Sequence, residues 1–312
     1  MRTGNSVRRK NKKPALYTRT FYDWLFDIFN VICFLAFTFL CVFPFYYMFI
    51  NTISDNDLVA KGVINFLPRG LNISNYIALK DISDLSSAFI VTIARTIIGT
   101  GLMVMMSALA GYLVTKKKLW KRQFWYRFLV ITMYFNAGLI PWYLNMMMLG
   151  LTNNFLAYIL PGLIAPFNVI LVKTYIESIP EALEESAYID GAGRFTIFRK
   201  IIWPLCKPIL ATIAVFGAVG QWNSFQDSLI LMQSSPDLYT LQHRLFTYLR
   251  KSTNIGSLMG GGAGAAESLV NMLNPKVIKY TISMVSVIPI LLVYPLAQRY
   301  FVRGIMLGAV KG

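Results

Sequence analysis

Residues 177–204 read ESIPEALEESAYIDGAGRFTIFRKIIWP and interrupt a strongly apolar part of the chain. The residues before them, 128–172, carry no formal charge, and apolar sequence returns at Pro208. The whole chain of 312 residues is 56% hydrophobic and only 14% charged, whereas soluble domains are about 25% charged. The composition therefore indicates a membrane protein, and residues 177–204 are predicted to lie outside the bilayer between two membrane spans.

Six apolar runs predict six membrane spans. Each run is long enough to cross the hydrocarbon core, which takes about 20 residues of helix, and a helix satisfies its own backbone hydrogen bonds in lipid. We therefore predict an all-α polytopic membrane protein with a single six-helix domain at residues 27–303, a basic tail at 1–26 and a second tail at 304–312. The predicted spans are residues 28–54, 87–115, the two halves of 128–172 divided at 150–154, 208–232 and 280–298.

The net charge of +16 is distributed unevenly along the chain. Most Lys and Arg residues fall in the two tails and in residues 116–127 and 173–207, which six spans place on one side of the membrane. Because basic residues are enriched on the cytoplasmic side, we predict a multi-pass protein of the cell membrane with both termini and residues 177–204 in the cytoplasm. Residues 233–279 are then an extracytoplasmic loop. Topology and contact with anionic membrane lipid explain the charge, so nucleic-acid binding is not expected.

The polar segment carries the signals of a short helix-turn-helix. Ser178 and Glu181 have the spacing of a capping box with proline between them, which predicts a helix start. Gly191 is predicted to end this helix with a positive φ or a close backbone approach, and Asp190 to cap the next helix. Phe195 and later apolar residues would form one face of that second helix. A solvated loop and a docking site for a cytoplasmic partner both fit these features.

The spacing within this segment resembles the EAA motif of ABC importer permeases. Residues 185–191 read ESAYIDG and are followed, after nine residues, by IIWP at 201–204, where the family pattern is EAAxxxG, nine residues, IxLP. The departures are Ser186, which is still small, and Trp203, which suits the membrane interface. The segments FNAGLIPWY, LPGLIAPFNVIL, WPLCKPILATIAVFGAVGQWNSF and YPLAQRYFVRGIMLGAVKG resemble the MalG-like and LplC-like carbohydrate permeases, inner-membrane components of binding-protein-dependent transport.

The resemblance implies the type I ABC importer permease fold, in which the EAA segment forms a coupling helix that docks on a cytoplasmic ATPase. It implies a heterodimer with a second homologous permease, two ATP-binding cassette ATPases, an extracytoplasmic solute-binding protein or lipoprotein, and a complex oligosaccharide as substrate. The chain has no GxxxxGK(S/T) loop, so ATP and Mg²⁺ are expected on the partner ATPases, and this chain is expected to hold no cofactor. The residues assigned to coupling are Glu185, Ser186, Ala187, Asp190, Gly191, Ala192 and Phe195.

Asp227 is a candidate for the translocation pathway, since it interrupts an otherwise uncharged run, WNSFQDSLILM. An acid inside a membrane is unfavourable and is by default functional or paired. Arg95 could be its partner, so a structural ion pair and a pathway role both remain open. Basic residues of the external loop, Arg244, Arg250 and Lys251, would suit an acidic oligosaccharide or contact the binding protein. The further pathway candidates, aromatic or amide side chains suited to sugars, are Tyr134, Asn136, Trp222, Asn223 and Gln226.

Two other classes of function fit the sequence less well. A stand-alone secondary transporter usually has intramembrane ion sites and inverted repeats, whereas this sequence shows one such acid, Asp227, and no obvious repeat. A membrane-embedded enzyme is not expected, because no HExxH motif or nucleophile–base set occurs, and no catalytic residue is assigned. The sequence also predicts no metal site, because Cys33, Cys41, Cys206 and His243 lack the spacing of metal ligands.

Overall fold

The computed structural model describes residues 20–80, 83–254 and 275–304, and these residues form helices, turns and no strand. The predicted all-α class is confirmed. Predictions for residues 1–19, 81–82, 255–274 and 305–312 lie outside the described ranges.

Short 3-10 turns lie at Phe155–Tyr158, Leu160–Gly162 and Pro236–Leu238, and a π-helical turn lies at Phe198–Ile202. The α-helices are α1 (Phe21–Thr52), α2 (Asn56–Ala60), α3 (Ser74–Lys80), α4 (Ser83–Thr115), α5 (Arg122–Thr132), α6 (Leu139–Met148), α7 (Pro166–Glu177), α8 (Ala182–Ile189), α9 (Arg194–Ile197), α10 (Trp203–Leu205), α11 (Lys207–Asn223), α12 (Gln226–Leu231), α13 (Leu241–Asn254) and α14 (Pro275–Gly304).

The chain divides into two compact units, residues 1–48 and 49–312. In the first unit the described residues belong almost entirely to α1, which contains Pro44. Large apolar side chains are exposed on all sides of this helix, among them Phe26, Phe34 and Leu40. A helix that is apolar all round is typical of a membrane span, so the exposed surface of α1 is suited to hydrocarbon.

In the second unit, helix α4 packs against α7 and α11. Small residues at such crossings let the helix backbones approach closely. A Cβ atom added at Gly111 of α4 would lie 2.9 Å from Val172 Cγ1 and 3.3 Å from the backbone nitrogen of Lys173, both on α7. The buried cluster around this crossing, which we call the α4–α7 core, contains Ala108, Tyr112, Val172, Ile176, Ala187, Ile197, Phe198, Ile202, Cys206, Ile209, Leu210 and Ile213.

Helix length and composition do not by themselves confirm the predicted number of membrane spans. Two helices are long and apolar enough to cross a membrane, Phe21–Thr52 and Asp84–Thr115. Two bent pairs could each form one more span, and the apolar helix Lys279–Pro295 is shorter. The described residues therefore show two to four spans by length and composition, and the predicted six are not confirmed. The bent pairs are Phe155–Gly162 with Pro166–Glu177, at 44°, and Arg194–Leu205 with Lys207–Asn223, at 79°.

The span predicted at the start of residues 128–172 is interrupted between α5 and α6. Asn136 Oδ1 accepts a hydrogen bond of 2.8 Å from the N–H of Gly138, which has a φ of 86°. This local turn replaces a continuous helical ladder, because short polar side chains compete with the helix for backbone groups.

The span predicted for residues 208–232 is interrupted in the same way. Helix α11 ends at Asn223, and the extended residue Ser224 donates its hydroxyl hydrogen bond to Asp227 Oδ1 at 3.0 Å. Counting apolar residues over about 20 positions does not detect such a local alternative to the helix.

Replacing Gly111 by valine is expected to destabilise the protein by about 1–3 kcal/mol, the usual range for overpacking a tight core. The new side chain would meet the backbone of α7, which cannot move aside as the end of a flexible side chain can. Thermal unfolding of the purified protein in detergent measures the effect. The matched control is Gly101→Val, because Gly101 is an exposed residue of α4 with nothing within 4 Å of an added Cβ. Equal unfolding temperatures of the two variants would contradict the close helix crossing.

Candidate functional site

Residues 177–204 form a bent helical segment, which we call the elbow. Helix α8 ends at Ile189, the chain turns at Gly191, and α9 begins at Arg194. Gly191 has a φ of 79° and donates its N–H to Tyr188 O at 3.0 Å. The prediction that this glycine ends the first helix with a positive φ is confirmed. The elbow continues through the π-helical turn and α10, and the chain then bends by 79° into α11.

The capping residues predicted for the elbow are wrong. Ser178 follows the last residue of α7, and its hydroxyl donates to Tyr175 O at 2.6 Å instead of capping α8. Glu181 precedes α8 but makes no capping bond through its side chain, and its carboxylate lies 3.2 Å from Lys117 Nζ. Asp190 follows the end of α8 and does not cap α9. The two side chains that the capping pattern assigned to α8 thus have other partners. Ser178 binds a carbonyl of the preceding helix, and Glu181 pairs with a lysine distant in sequence.

The coupling candidates divide between a buried and an exposed side of the elbow. Ala187 is 8% exposed and belongs to the α4–α7 core, and Ala192 packs against that core. Phe195, by contrast, is 68% exposed. The two alanines therefore hold the elbow against its own protein, while the other candidates face solvent. The exposed small or polar candidates are Glu185, Ser186, Asp190 and Gly191.

Three exposed apolar residues of α8 were not among the candidates predicted from the sequence. Ile189 is 87% exposed, and Leu183 and Tyr188 are exposed as well. Together with the exposed Phe195 of α9 they are the large apolar side chains that the elbow presents to solvent, and we call this set of residues the docking face. The helical period contained the signal: a helix turns about 100° per residue, so Ile189 lies about 200° from the buried Ala187.

Two ion pairs join the elbow to the end of α4. Lys116 pairs with Glu184, both side chains being mostly buried, and its ammonium lies 4.1 Å from the centroid of the Tyr112 ring. Lys117 and Glu181 are both exposed, and exposed ion pairs contribute little to stability. The partly buried pair is the stronger connection because solvent and salt screen it less.

A second cluster surrounds Arg95 of α4, which is 2% exposed. Its Nη2 donates to Asp227 Oδ2 at 2.6 Å, and its Nη1 donates to Oδ1 at 3.3 Å. The Nε donates to Gln221 Oε1 at 3.0 Å, and the guanidinium carbon lies 4.3 Å from the centroid of the Tyr158 ring. Of the two alternatives that the sequence left open for Asp227, the ion pair with Arg95 is observed, and it has the bidentate geometry that strengthens such contacts.

Asp227 connects this ion pair to helices α12 and α13. Its Oδ1 accepts hydrogen bonds from the Ser224 hydroxyl at 3.0 Å and from the Ser228 N–H at 2.9 Å. Ser228 Oγ lies 2.9 Å from Nδ1 of the buried His243 on α13. Burial lowers the pKa of His243, and the nearby Arg244 lowers it further. The imidazole therefore stays neutral near pH 7 and adds no second buried cation to the cluster.

The remaining pathway candidates lie in different surroundings. Trp222 is buried and donates its indole N–H to a backbone oxygen of α14 at 3.0 Å, which is a packing arrangement. Asn223 and Gln226 are exposed next to Asp227 in sequence. Tyr134 and Asn136 lie exposed in the break between α5 and α6, and in the described part of the chain no hydrogen bond or ring contact joins them to the Arg95 cluster.

The chain is similar in sequence to sugar transport permeases. No family model matches it. It is 32% identical over 290 residues to the polygalacturonan/rhamnogalacturonan transport system permease protein YtcP of Bacillus subtilis (strain 168), a match that covers 92% of this chain and 99% of the relative. It is 30% identical over 289 residues to protein LplC of the same organism, with 92% and 95% covered.

A solved structure with the same fold belongs to a bacterial ABC transporter involved in the import of the acidic polysaccharide alginate. The match covers 91% of this chain and 99% of that chain, with a TM-score of 0.83 and 28% sequence identity. The fold and these relatives define a membrane-embedded transport component. The chain belongs to the family of carbohydrate ABC importer permeases, as the EAA-like spacing predicted.

Removing one partner of the pair between Arg95 and Asp227 is expected to destabilise the protein by about 3–5 kcal/mol, because the remaining charge is buried without compensation. Asp227→Asn removes the anion at nearly constant size, and Arg95→Gln removes the cation. The double variant is expected to recover part of the loss, which thermal unfolding of all four proteins measures as a double-mutant cycle. Asp237→Asn, at an exposed turn, is the control. Strictly additive losses would show that the pair has no specific coupling.

Proposed function

We propose that this chain is one of two permease subunits of a binding-protein-dependent ABC importer for oligosaccharides, coupled to a cytoplasmic ATPase through its docking face. A second homologous permease forms the other half of the translocation pathway. Two ATP-binding cassette subunits bind ATP and Mg²⁺, and an extracytoplasmic solute-binding protein delivers the sugar. The uneven distribution of basic residues supports a cell-membrane protein with both termini and the elbow in the cytoplasm.

The main support for this proposal is the exposure of the apolar side chains of the docking face. The elbow is polar in sequence, yet Leu183, Tyr188, Ile189 and Phe195 expose large apolar side chains on it. Exposed apolar surface surrounded by polar residues is typical of protein interfaces. Apolar anchors that project from a short helix are suited to a groove on a partner.

The buried side of the elbow supports a mechanical role. Ala187 and Ile197 belong to the same buried cluster as Val172 of α7 and Ile209 of α11, so a displacement of the elbow shifts the packing of those helices. Lys116 connects the elbow to α4 through Glu184. Closure of an ATPase under the docking face would therefore move α4, α7 and α11 together. Small shifts at one site are transmitted to a distant site through packed helices of this kind.

Ile189→Ser and Phe195→Ala are each expected to weaken docking on the ATPase by about tenfold, because loss of a central apolar anchor commonly costs about 1.4 kcal/mol or more. Sugar-stimulated ATPase activity of the reconstituted complex, titrated with ATPase subunit, measures the loss. Both side chains are exposed, so the unfolding temperature of the permease should not change. Leu205→Ala, at an exposed apolar residue of α10, is the control. Normal titration curves for both docking-face variants would refute the coupling role.

The substrate class best supported is an acidic oligosaccharide. The relative YtcP is named for polygalacturonan and rhamnogalacturonan, and the similar structure belongs to an alginate importer. In this chain Asp227 is paired with Arg95, so its charge would not repel a uronate. Arg244 lies 3.2 Å from Asp84 and is less suited to a sugar carboxylate than Arg250, which is exposed near the Phe246 ring.

Sugar uptake by the complex reconstituted with its ATPases and binding protein tests the function and the substrate class together. Uronate-containing oligosaccharides are expected to stimulate uptake and ATP hydrolysis more strongly than neutral oligosaccharides of equal length. Stimulation by neutral sugars alone would overturn the substrate class. Uptake by this chain without any ATPase would overturn the coupling proposal and favour a stand-alone secondary transporter.

A further inference from the structure

The turn between α4 and α5 contains an open pocket of about 350 Å³ lined by mostly basic side chains. The surrounding residues, 116–127, read KKKLWKRQFWYR and contain no acidic residue. The lining residues are Lys117, Leu119, Lys121, Arg122 and Gln123. No residue of this pocket is part of the docking face or of the Arg95 cluster.

The pocket has an excess of positive charge. Within residues 20–80, 83–254 and 275–304, Glu184 pairs with Lys116 outside the pocket, and Glu181 lies 3.2 Å from Lys117 at its edge. Neither Lys121 nor Arg122 forms an ion pair in those ranges. A site with unbalanced cations at a membrane surface attracts anions.

Two of the cations are held in place by neighbours that leave donors available. Arg122 Nη1 donates to Thr115 O at 3.0 Å, which fixes the guanidinium and leaves further N–H groups for an anion. Lys121 Nζ lies 4.7 Å from the centroid of the Trp120 ring, and the Gln123 side chain adds an amide donor to the lining. This donor set suits the oxygens of a phosphate group.

We propose that this pocket binds the phosphate of an anionic phospholipid headgroup. The surface beside it identifies a lipid as the source of the phosphate. Trp120 is 70% exposed, and Phe124, Trp125 and Phe128 form an exposed group of contacting rings along the first turns of α5. Aromatic residues of this kind are enriched at the membrane interface. A lipid headgroup in the pocket would place its acyl chains beside these rings, whereas a free phosphate would use only the cations.

One lining residue of the pocket also contacts the elbow. Lys117 lines the pocket and pairs with Glu181, the residue before α8. An anionic headgroup would compete with Glu181 for this lysine, so Lys117 would exchange its exposed partner on the elbow for the lipid phosphate.

Fluorescence quenching of Trp120 by brominated lipid tests the proposal on the full-length chain in nanodiscs. The chain has six tryptophans, so the difference between the protein and its Trp120→Phe variant isolates the relevant signal. Brominated phosphatidylglycerol is expected to quench Trp120 more strongly than brominated phosphatidylcholine at equal mole fraction. The variant Lys117→Gln/Lys121→Gln/Arg122→Gln is expected to lose this preference by about fivefold or more, since each basic residue near an anionic surface contributes about 1 kcal/mol.

The matched control is Arg199→Gln/Lys200→Gln/Lys207→Gln, which removes the same charge from exposed positions outside the pocket and should keep the preference. An unchanged preference in the pocket variant, or an equal loss in the control, would overturn the site. Displacement of the lipid by equimolar inorganic phosphate would overturn the lipid as its ligand. If the triple variant does not accumulate, Lys121→Gln alone gives the same comparison. The readout needs neither ATP nor sugar, so its failure is separate from failure of the proposed transport function.

Discussion

An arginine and an aspartate moved out of water lose several kcal/mol of hydration per ion, and the contact between Arg95 and Asp227 offsets this loss only while both side chains keep their hydrogen bonds. Those bonds come from α4, from the end of α11 and from the start of α12. The buried His243 of α13 joins through Ser228. The ion pair therefore keeps its hydrogen bonds only where the four helices α4, α11, α12 and α13 meet. The other contacts of this region are consistent with that arrangement.

Helix α4 connects this cluster to the elbow. Arg95 and Thr115 are separated by about 30 Å along a helix, at 1.5 Å per residue. Beyond Thr115, Lys116 holds Glu184 of the elbow, and Gly111 lets α7 pack closely against α4. One continuous helix thus runs from the contact with the elbow to the ion-pair cluster, and it is the direct structural connection between these two parts of the molecule.

The residues around an exposed apolar side chain indicate whether lipid or a protein partner is suited to cover it. On α1 they cover the whole helix, and on α5 the exposed rings begin beside a basic turn, as suits a helix entering lipid. On the elbow they number few and lie among glutamates and arginines, where lipid is an unsuitable cover. The charge of the neighbouring residues, rather than the exposure of Ile189 or Phe128 alone, supports the proposed protein interface on the elbow and a lipid-facing surface on α5.

The sequence by itself determined the class of protein, the helical content, the EAA-like spacing and the turn at Gly191, because these follow from composition and from local backbone geometry. It also offered Arg95 as a partner for Asp227, since a buried charge is stabilised by an opposite charge. Tertiary structure decided the rest. It placed Ala187 inward and Ile189 outward, and it paired Glu181 with Lys117. These outcomes depend on partners distant in sequence, which come within reach of the elbow only when the helices pack.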